Sequence, residues 1–236
     1  MNPAQPINAV LFDLDGTLID TAPDFIRIIR LLCAEDGLTA PTDAEIRVQV
    51  SEGARAMVRL IHPELDADSP ELFAYRDRFL QHYAQHIAVD TCLFAGMDDL
   101  LHHLEQHDIP WGIVTNKPRP LSVLLLKALQ LDQRCSVLVC PDDVTRSKPD
   151  PEPMFLAADQ LGIEATQIMY VGDHPRDIDA GRHAGMPTVL AAYGYLPPSH
   201  AQDLAAWRAD HIVHDATALL HLLQSDHFIL GTVDHV

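Results

Sequence analysis

The chain has 236 residues, 47% of them hydrophobic and 21% charged, with 34 Asp and Glu against 16 Lys and Arg for a net charge of -18. A field of that sign repels nucleic acid and anionic membrane, which excludes both as partners, and an anionic substrate would need local cations or a metal. The length allows one large domain or a core carrying an insertion.

The opening Met-Asn-Pro-Ala-Gln-Pro shows neither the basic nor the apolar region of a leader, and no apolar run approaches the length of a membrane span. Cys33, Cys92, Cys135 and Cys140 lack C-x-x-C spacing. Reduced thiols in a cytoplasmic protein are expected. Ala9 to Phe12 then read as a short buried strand ending on Asp13, with Asp15 and the turn-forming Gly16 behind it. In an open α/β sheet, ligands bind beyond the carboxyl ends of strands. Two carboxylates there repel unless a cation lies between them, which suggests magnesium. An acidic turn after a core strand is the plain alternative.

From Thr21 the period changes. Thr21-Ala22-Pro23-Asp24 fits a capping box, Phe25, Ile28, Ile29 and Leu32 share a helical face, and Gly37 is a stop. Thr42 to Glu45 offers a second box. Ser51-Glu52-Gly53 breaks that helix, Ala54 to His62 resumes it, and Ser69-Pro70-Glu71 caps another running to about Ile87. No convincing strand falls between Thr21 and Thr91, so residues 21–91 are read as a helical insertion over a core of 1–20 and 92–236. Asp20, Asp24, Asp36 and Asp43 read as caps or solvated surface.

Beyond Thr91 strands and helices alternate. Helices are expected at Asp98–His107, Pro120–Leu131, Glu152–Leu161, Asp177–Ala184 and Ala216–Leu223. Strands are expected at Trp111–Val114, Ser136–Cys140, Ile168–Val171, Thr188–Ala191 and His211–Val213, and the tail from Gln224 carries no clear signal. This alternation predicts an α/β fold with a parallel sheet in three layers. Its strand ends would bring together Asp13 and Asp15, then Thr115 and Asn116, then Asp173 and Asp177, with Lys148 from the loop after the third strand. Carboxylates suit magnesium, lysine and threonine suit phosphate oxygens, and a carboxylate can attack phosphorus. The helical pairs His103/His107 and His82/His86 have chelating spacing, but with 14 histidines in the chain such pairs arise by chance.

Four segments resemble the haloacid dehalogenase superfamily: Asp13-Leu14-Asp15-Gly16-Thr17-Leu18, Thr115-Asn116, Lys148 in Ser-Lys-Pro-Asp-Pro, and Gly172-Asp173-His174-Pro175-Arg176-Asp177. They stand in that family's order. The resemblance implies a Rossmann-like core with an inserted C1-type cap. It further implies a magnesium-dependent phosphomonoester hydrolase working through an aspartyl phosphate. Asp13 would be the nucleophile, and Asp15 the acid and then the base. Asp13, the main-chain carbonyl of Asp15, and Asp173 would hold the metal, with Asp177 behind these ligands rather than among them. Thr115, Asn116 and Lys148 would bind the phosphoryl group. Within the superfamily the chain is similar to the phosphoglycolate phosphatase branch, whose substrate is a small phosphorylated carboxylate. Trp111 to Pro118 and Val139 to Asp142 also look similar to N-acetylmuramic acid 6-phosphate phosphatases of cell-wall recycling. His174 departs from the small hydroxyl residue common at that place.

A sugar phosphomutase would use the same nucleophile, and a non-catalytic phospho-accepting module would use a similar acidic pocket. Such a module has no need of Asp15 as a proton donor or of a cap. A dehalogenase needs neither Asp15 nor magnesium. A substrate carboxylate would need its own cation, for which Arg55, behind the Ser51-Glu52-Gly53 break, is the candidate.

Overall fold

A computed structural model describes residues 5–225 and 228–230, so the expectations for the first residues and most of the tail fall outside it. In order the chain forms β1 (Gln5–Ile7), β2 (Ala9–Phe12), β3 (Ile19–Asp20), α1 (Ala22–Glu35), α2 (Asp43–Arg47), α3 (Ala54–Ile61), α4 (Pro70–Gln85) and β4 (Cys92–Leu93). There follow α5 (Met97–Gln106), β5 (Trp111–Val114), α6 (Arg119–Ala128), β6 (Val137–Val139), α7 (Glu152–Leu161) and β7 (Ile168–Gly172). The last elements are α8 (Pro175–His183), β8 (Thr188–Ala191), β9 (His211–Val213), α9 (Ala216–Leu223) and β10 (Phe228–Leu230).

Six strands form one parallel sheet in the order β6-β5-β2-β7-β8-β9. The chain runs outward from β2 through β5 to β6, then returns to lay β7 on the other flank of β2. That reversal opens a crevice at the carboxyl end of β2, where the order of strands changes direction. The strands alternate faces as a pleated chain must. Leu11 and Tyr170 pack with Met154 and Ala157 of α7. Val10, Phe12 and Val171 pack on the opposite face with Leu104 of α5 and Leu219 of α9. Both faces are therefore covered, which explains strands that read as uninterrupted apolar runs.

The helices between β3 and β4 build most of a second apolar cluster from Phe25, Ile28 and Ile29 of α1, Met57 of α3, and Phe79 and Tyr83 of α4, which Leu121 of α6 and Tyr195 join from the other part of the chain. The chain enters and leaves this helical layer through the antiparallel pair β3–β4, with Asp20 opposite Cys92. These strands are two residues each, too short to show a period, and the sequence did not reveal them. Nor did it reveal β1, which pairs in parallel with β10.

The capping box at Thr42 forms as expected, with reciprocal bonds to Glu45. The one at Thr21 does not. Thr21 makes no side-chain cap bond; its hydroxyl donates to Asp15 at 2.7 Å. Asp24, expected as a cap or solvated surface, is fully buried. Its carboxylate accepts the Thr91 hydroxyl at 2.6 Å, the Asp90 N–H at 2.9 Å and the Arg27 guanidinium at 2.6 Å. Burial raises its pKa, but the Thr91 and Arg27 bonds outweigh that and hold it below the usual value. Asp24 thus ties the first turn of α1 to the chain returning toward β4. Asp24→Ala should lower stability by about 2–4 kcal/mol, because buried donors lose their acceptor. In thermal melts that corresponds to a fall of roughly 5–15 °C, with a smaller loss for Asp24→Asn; an unchanged Tm in Asp24→Ala would refute the tie.

Other helix ends differ slightly from expectation. α6 stops at Ala128 rather than Leu131, because Gln130 turns into the left-handed region at φ 58°. α8 starts at Pro175 rather than Asp177, with His174 as its cap.

Candidate active site

Asp13 leaves the carboxyl end of β2 buried, and Asp15 follows after one turn residue. Asp173 and Asp177 come from the end of β7 and the first turn of α8. Asp13, Asp173 and Asp177 each offer an oxygen within 4.8 Å of the others, and this is the sole cluster of three or more potential ligands among the described residues. The packing there is close. Gly16 has φ +88°, and a Cβ on it would lie 2.2 Å from Asp173 Oδ2, so only glycine lets this turn meet Asp173. Asp173 accepts hydrogen bonds from Thr17 Oγ1 at 3.1 Å, the Tyr195 N–H at 2.7 Å and Ser51 Oγ at 3.3 Å.

Three buried carboxylates cannot all stay charged without compensation. Burial, reinforced by Asp13 and Asp177, pushes the Asp173 carboxyl up to about 8. Burial also raises Asp13, but Lys148 and Arg176 outweigh it and hold Asp13 below the usual range. Lys148 Nζ lies 2.9 Å from Asp13 Oδ1 as an ion pair without a directed hydrogen bond. A hard divalent cation fits this all-oxygen set and would relieve the strain on Asp173.

Lys148 is buried and heavily engaged. Its ammonium approaches Asp177 Oδ1 at 2.7 Å and donates to Val114 O at 2.8 Å and Tyr170 Oη at 2.9 Å. Thr115 is buried, and its Oγ1 accepts the Lys117 N–H at 3.1 Å. Asn116 Nδ2 donates to the Lys148 carbonyl at 3.0 Å, bracing the loop that carries Lys148. His174 takes the role a hydroxyl residue could fill. Its Nδ1 accepts the Arg176 N–H at 3.3 Å, which leaves Nε2–H to donate to Glu52 at 2.9 Å. Burial, then Arg176, holds its pKa below the ordinary histidine value.

Asp15 stands apart from the carboxylate cluster, facing Thr21 and Lys117. It shares with Asp13 and Thr115 a cavity of about 500 Å³ roofed by the helical layer. Arg55 reaches the same cavity from α3, half-exposed, with its guanidinium on Asp68 Oδ1 at 3.2 Å and Ala67 O at 3.1 Å. Sequence reasoning assigned no role to Lys117, Arg176, Ser51 or Tyr170. Lys117 and Arg176 stood inside quoted motifs and could have been weighed as cations at strand ends. Ser51 and Tyr170 carried no such signal. His107 Nδ1 contacts the His103 carbonyl at 2.8 Å, and His86 Nδ1 the His82 carbonyl at 3.1 Å; neither pair belongs to a three-ligand cluster among the described residues.

Comparison with known proteins gives this site a context. Residues 10–191 match the haloacid dehalogenase-like hydrolase family. The chain is 45% identical over 217 residues to an N-acetylmuramic acid 6-phosphate phosphatase of Pseudomonas aeruginosa, spanning 92% of this chain and 95% of that protein. It is 44% identical over 211 residues to a phosphoglycolate phosphatase of Xanthomonas campestris pv. campestris, spanning 89% and 94%. The crystal structure of a predicted phosphoglycolate phosphatase from Haemophilus somnus superposes with a TM-score of 0.80 at 25% identity, over 92% of this chain and 98% of that one. Among the described residues no helix is long and apolar enough to cross a membrane. With its motifs in order on a six-stranded parallel sheet, the chain belongs to the haloacid dehalogenase-like hydrolases.

Proposed function

We propose that this phosphatase hydrolyses a phosphomonoester that also carries a carboxylate, through a phosphoryl group held on Asp13. The observation that carries the reading is the state of Asp13, a buried carboxylate kept charged by Lys148 and Arg176 in the lining of a cavity it shares with Asp15. Asp13 attacks phosphorus, the ester P–O bond breaks, and Asp15 gives its proton to the leaving oxygen. Asp15 then takes a proton from water, which attacks the acyl phosphate and releases inorganic phosphate from Asp13. Thr115 and Lys148 face the transferring oxygens, Asn116 supports Lys148, and Asp177 holds the Lys148 ammonium in place. Asp13, Asp173, the Asp15 carbonyl and Asp177 would hold magnesium, which when bound supplies neutralising charge beside the phosphoryl group.

Residues 21–91 serve in this reading as a cap domain over 1–20 and 92–236. An apolar cluster built mostly from its own residues, its single entry through β3–β4, and the reach of Ser51 and Glu52 to Asp173 and His174 support that division. The unpaired cysteines support a cytoplasmic location.

A cavity of about 500 Å³ walled by Phe25, Leu80, Tyr83 and Leu121 leaves a two-carbon ester largely surrounded by empty space. Its size and apolar wall favour a sugar phosphate bearing an acid, of the N-acetylmuramate 6-phosphate type, over phosphoglycolate. The test is a turnover screen with magnesium over N-acetylmuramate 6-phosphate, N-acetylglucosamine 6-phosphate and phosphoglycolate. N-acetylmuramate 6-phosphate should exceed its carboxylate-free counterpart in kcat/KM by roughly ten- to a hundredfold. Arg55→Ala should remove much of that margin through KM while sparing 4-nitrophenyl phosphate. A higher kcat/KM for phosphoglycolate would favour the small substrate, and no turnover of any ester would overturn the hydrolase reading.

A further inference from the structure

Lys117 is a buried cation to which the steps above assign no role. It stands on the loop after β5, and its Nζ donates to both oxygens of Asp15, at 3.0 and 3.3 Å. Among the described residues the Asp15 carboxylate has one further side-chain partner, the Thr21 hydroxyl at the entry to α1. Lys117, the one that bonds both oxygens, therefore works with Thr21 to set how that carboxylate is turned about its bond to the backbone. The other surroundings of Lys117 belong to the helical layer. Its ammonium lies 5.2 Å from the centre of the Phe25 ring in α1 and 4.6 Å from that of Tyr83 in α4. Those two rings pack 4.8 Å apart. Together they form an aromatic slot whose electron-rich faces suit an ammonium withdrawn from water. The ammonium is buried, and these two rings and the Asp15 carboxylate surround it.

The slot and the carboxylate meet at a single ammonium. If α1 and α4 moved away from the core, Lys117 would lose both rings and gain water, and its grip on Asp15 would compete with hydration. We propose that Lys117 is a positioning residue that aims the Asp15 carboxylate at the ester oxygen while α1 and α4 close over the core, so that proton transfer depends on closure. This rests on the reading of Asp15 as the acid that protonates the leaving group.

The test compares benzyl phosphate, which leaves as a basic alkoxide, with 4-nitrophenyl phosphate, which needs little protonation. Single-turnover phosphorylation is followed in Lys117→Met, with Lys117→Gln as a polar replacement of similar reach. Lys117→Met should slow benzyl phosphate by roughly ten- to a hundredfold and 4-nitrophenyl phosphate by less than about threefold, with KM little changed. Lys117→Arg should recover most of the loss. Asp15→Asn should show the same split between esters, and the double variant should be little worse than Asp15→Asn alone. Phe25→Leu, which removes one ring from the slot while keeping both Asp15 and Lys117, should show the split in weaker form, and it keeps the test alive if the lysine variants do not fold. A split in Asp15→Asn with none in the Lys117 variants or Phe25→Leu would overturn the role of Lys117 and leave that of Asp15. Equal losses for both esters in Asp15→Asn would overturn both.

Discussion

Asp13→Asn should fold as the parent does and lose turnover by roughly four orders of magnitude or more, as removal of a covalent nucleophile does elsewhere. The amide is nearly isosteric, so the shape of the turn between β2 and Gly16 is kept. It lacks the charge and the lone-pair reactivity with which a carboxylate attacks phosphorus. Stability should change little. Neutralising Asp13 relieves its repulsion of Asp173, whose carboxyl the cluster pushes up to about 8, but it also removes the favourable pairing with Lys148 and Arg176 that holds Asp13 below the usual range. A melting temperature close to the parent's, together with absent turnover, is the expected pair of results. A folded Asp13→Asn protein that still hydrolyses 4-nitrophenyl phosphate at a useful rate would end the covalent mechanism.

The second large effect is removal of the cation. Chelation should abolish turnover reversibly, and the metal-free protein should show a distinctive pH dependence. Asp173 has a raised folded-state pKa, so its contribution is a stabilisation fully present below the unfolded carboxylate value. That contribution is lost as pH rises through about 8. The metal-free protein should therefore melt at progressively lower temperature from about pH 4 to about pH 8. Magnesium bound in the proposed site would replace the proton in the cluster, so its stabilising effect should grow over the same range. At a hundredfold excess over its Kd it is worth about 2.7 kcal/mol. Asp173→Asn should flatten the slope and abolish the magnesium response. Scanning fluorimetry with and without magnesium across this range checks both. A magnesium shift no larger at high pH than at low pH would separate the carboxylate cluster from metal binding.

Several features of this chain follow from local sequence alone. The run Ala9–Phe12, its acidic end and the glycine behind it specify a buried strand turning sharply into polar chain, because period and turn chemistry are short-range properties. The alternation beyond Thr91 specifies a parallel sheet, since parallel neighbours need crossovers and helices supply them. From that topology alone Asp13, Thr115, Lys148 and Asp173 could be placed at one edge of the sheet, as the structure places them. Arg55 could be placed near the cavity, though not its engagement with Asp68.

What local sequence could not decide are the contacts made between elements. Asp24 sits where a helix cap belongs, and only packing against Thr91, 67 residues away, makes it a buried tie. β3 and β4 exist because the two ends of the helical insertion meet, which no two-residue segment can announce. Lys117 and Asp15 are 102 residues apart in the chain, and the slot around Lys117 is built from rings on two further helices. Periodicity reports which face of an element is buried, and carries no information about which buried face it will meet. That choice is made by strand order and by the geometry with which the helical layer closes over the sheet, and it is there that the partner of the Asp15 carboxylate was determined.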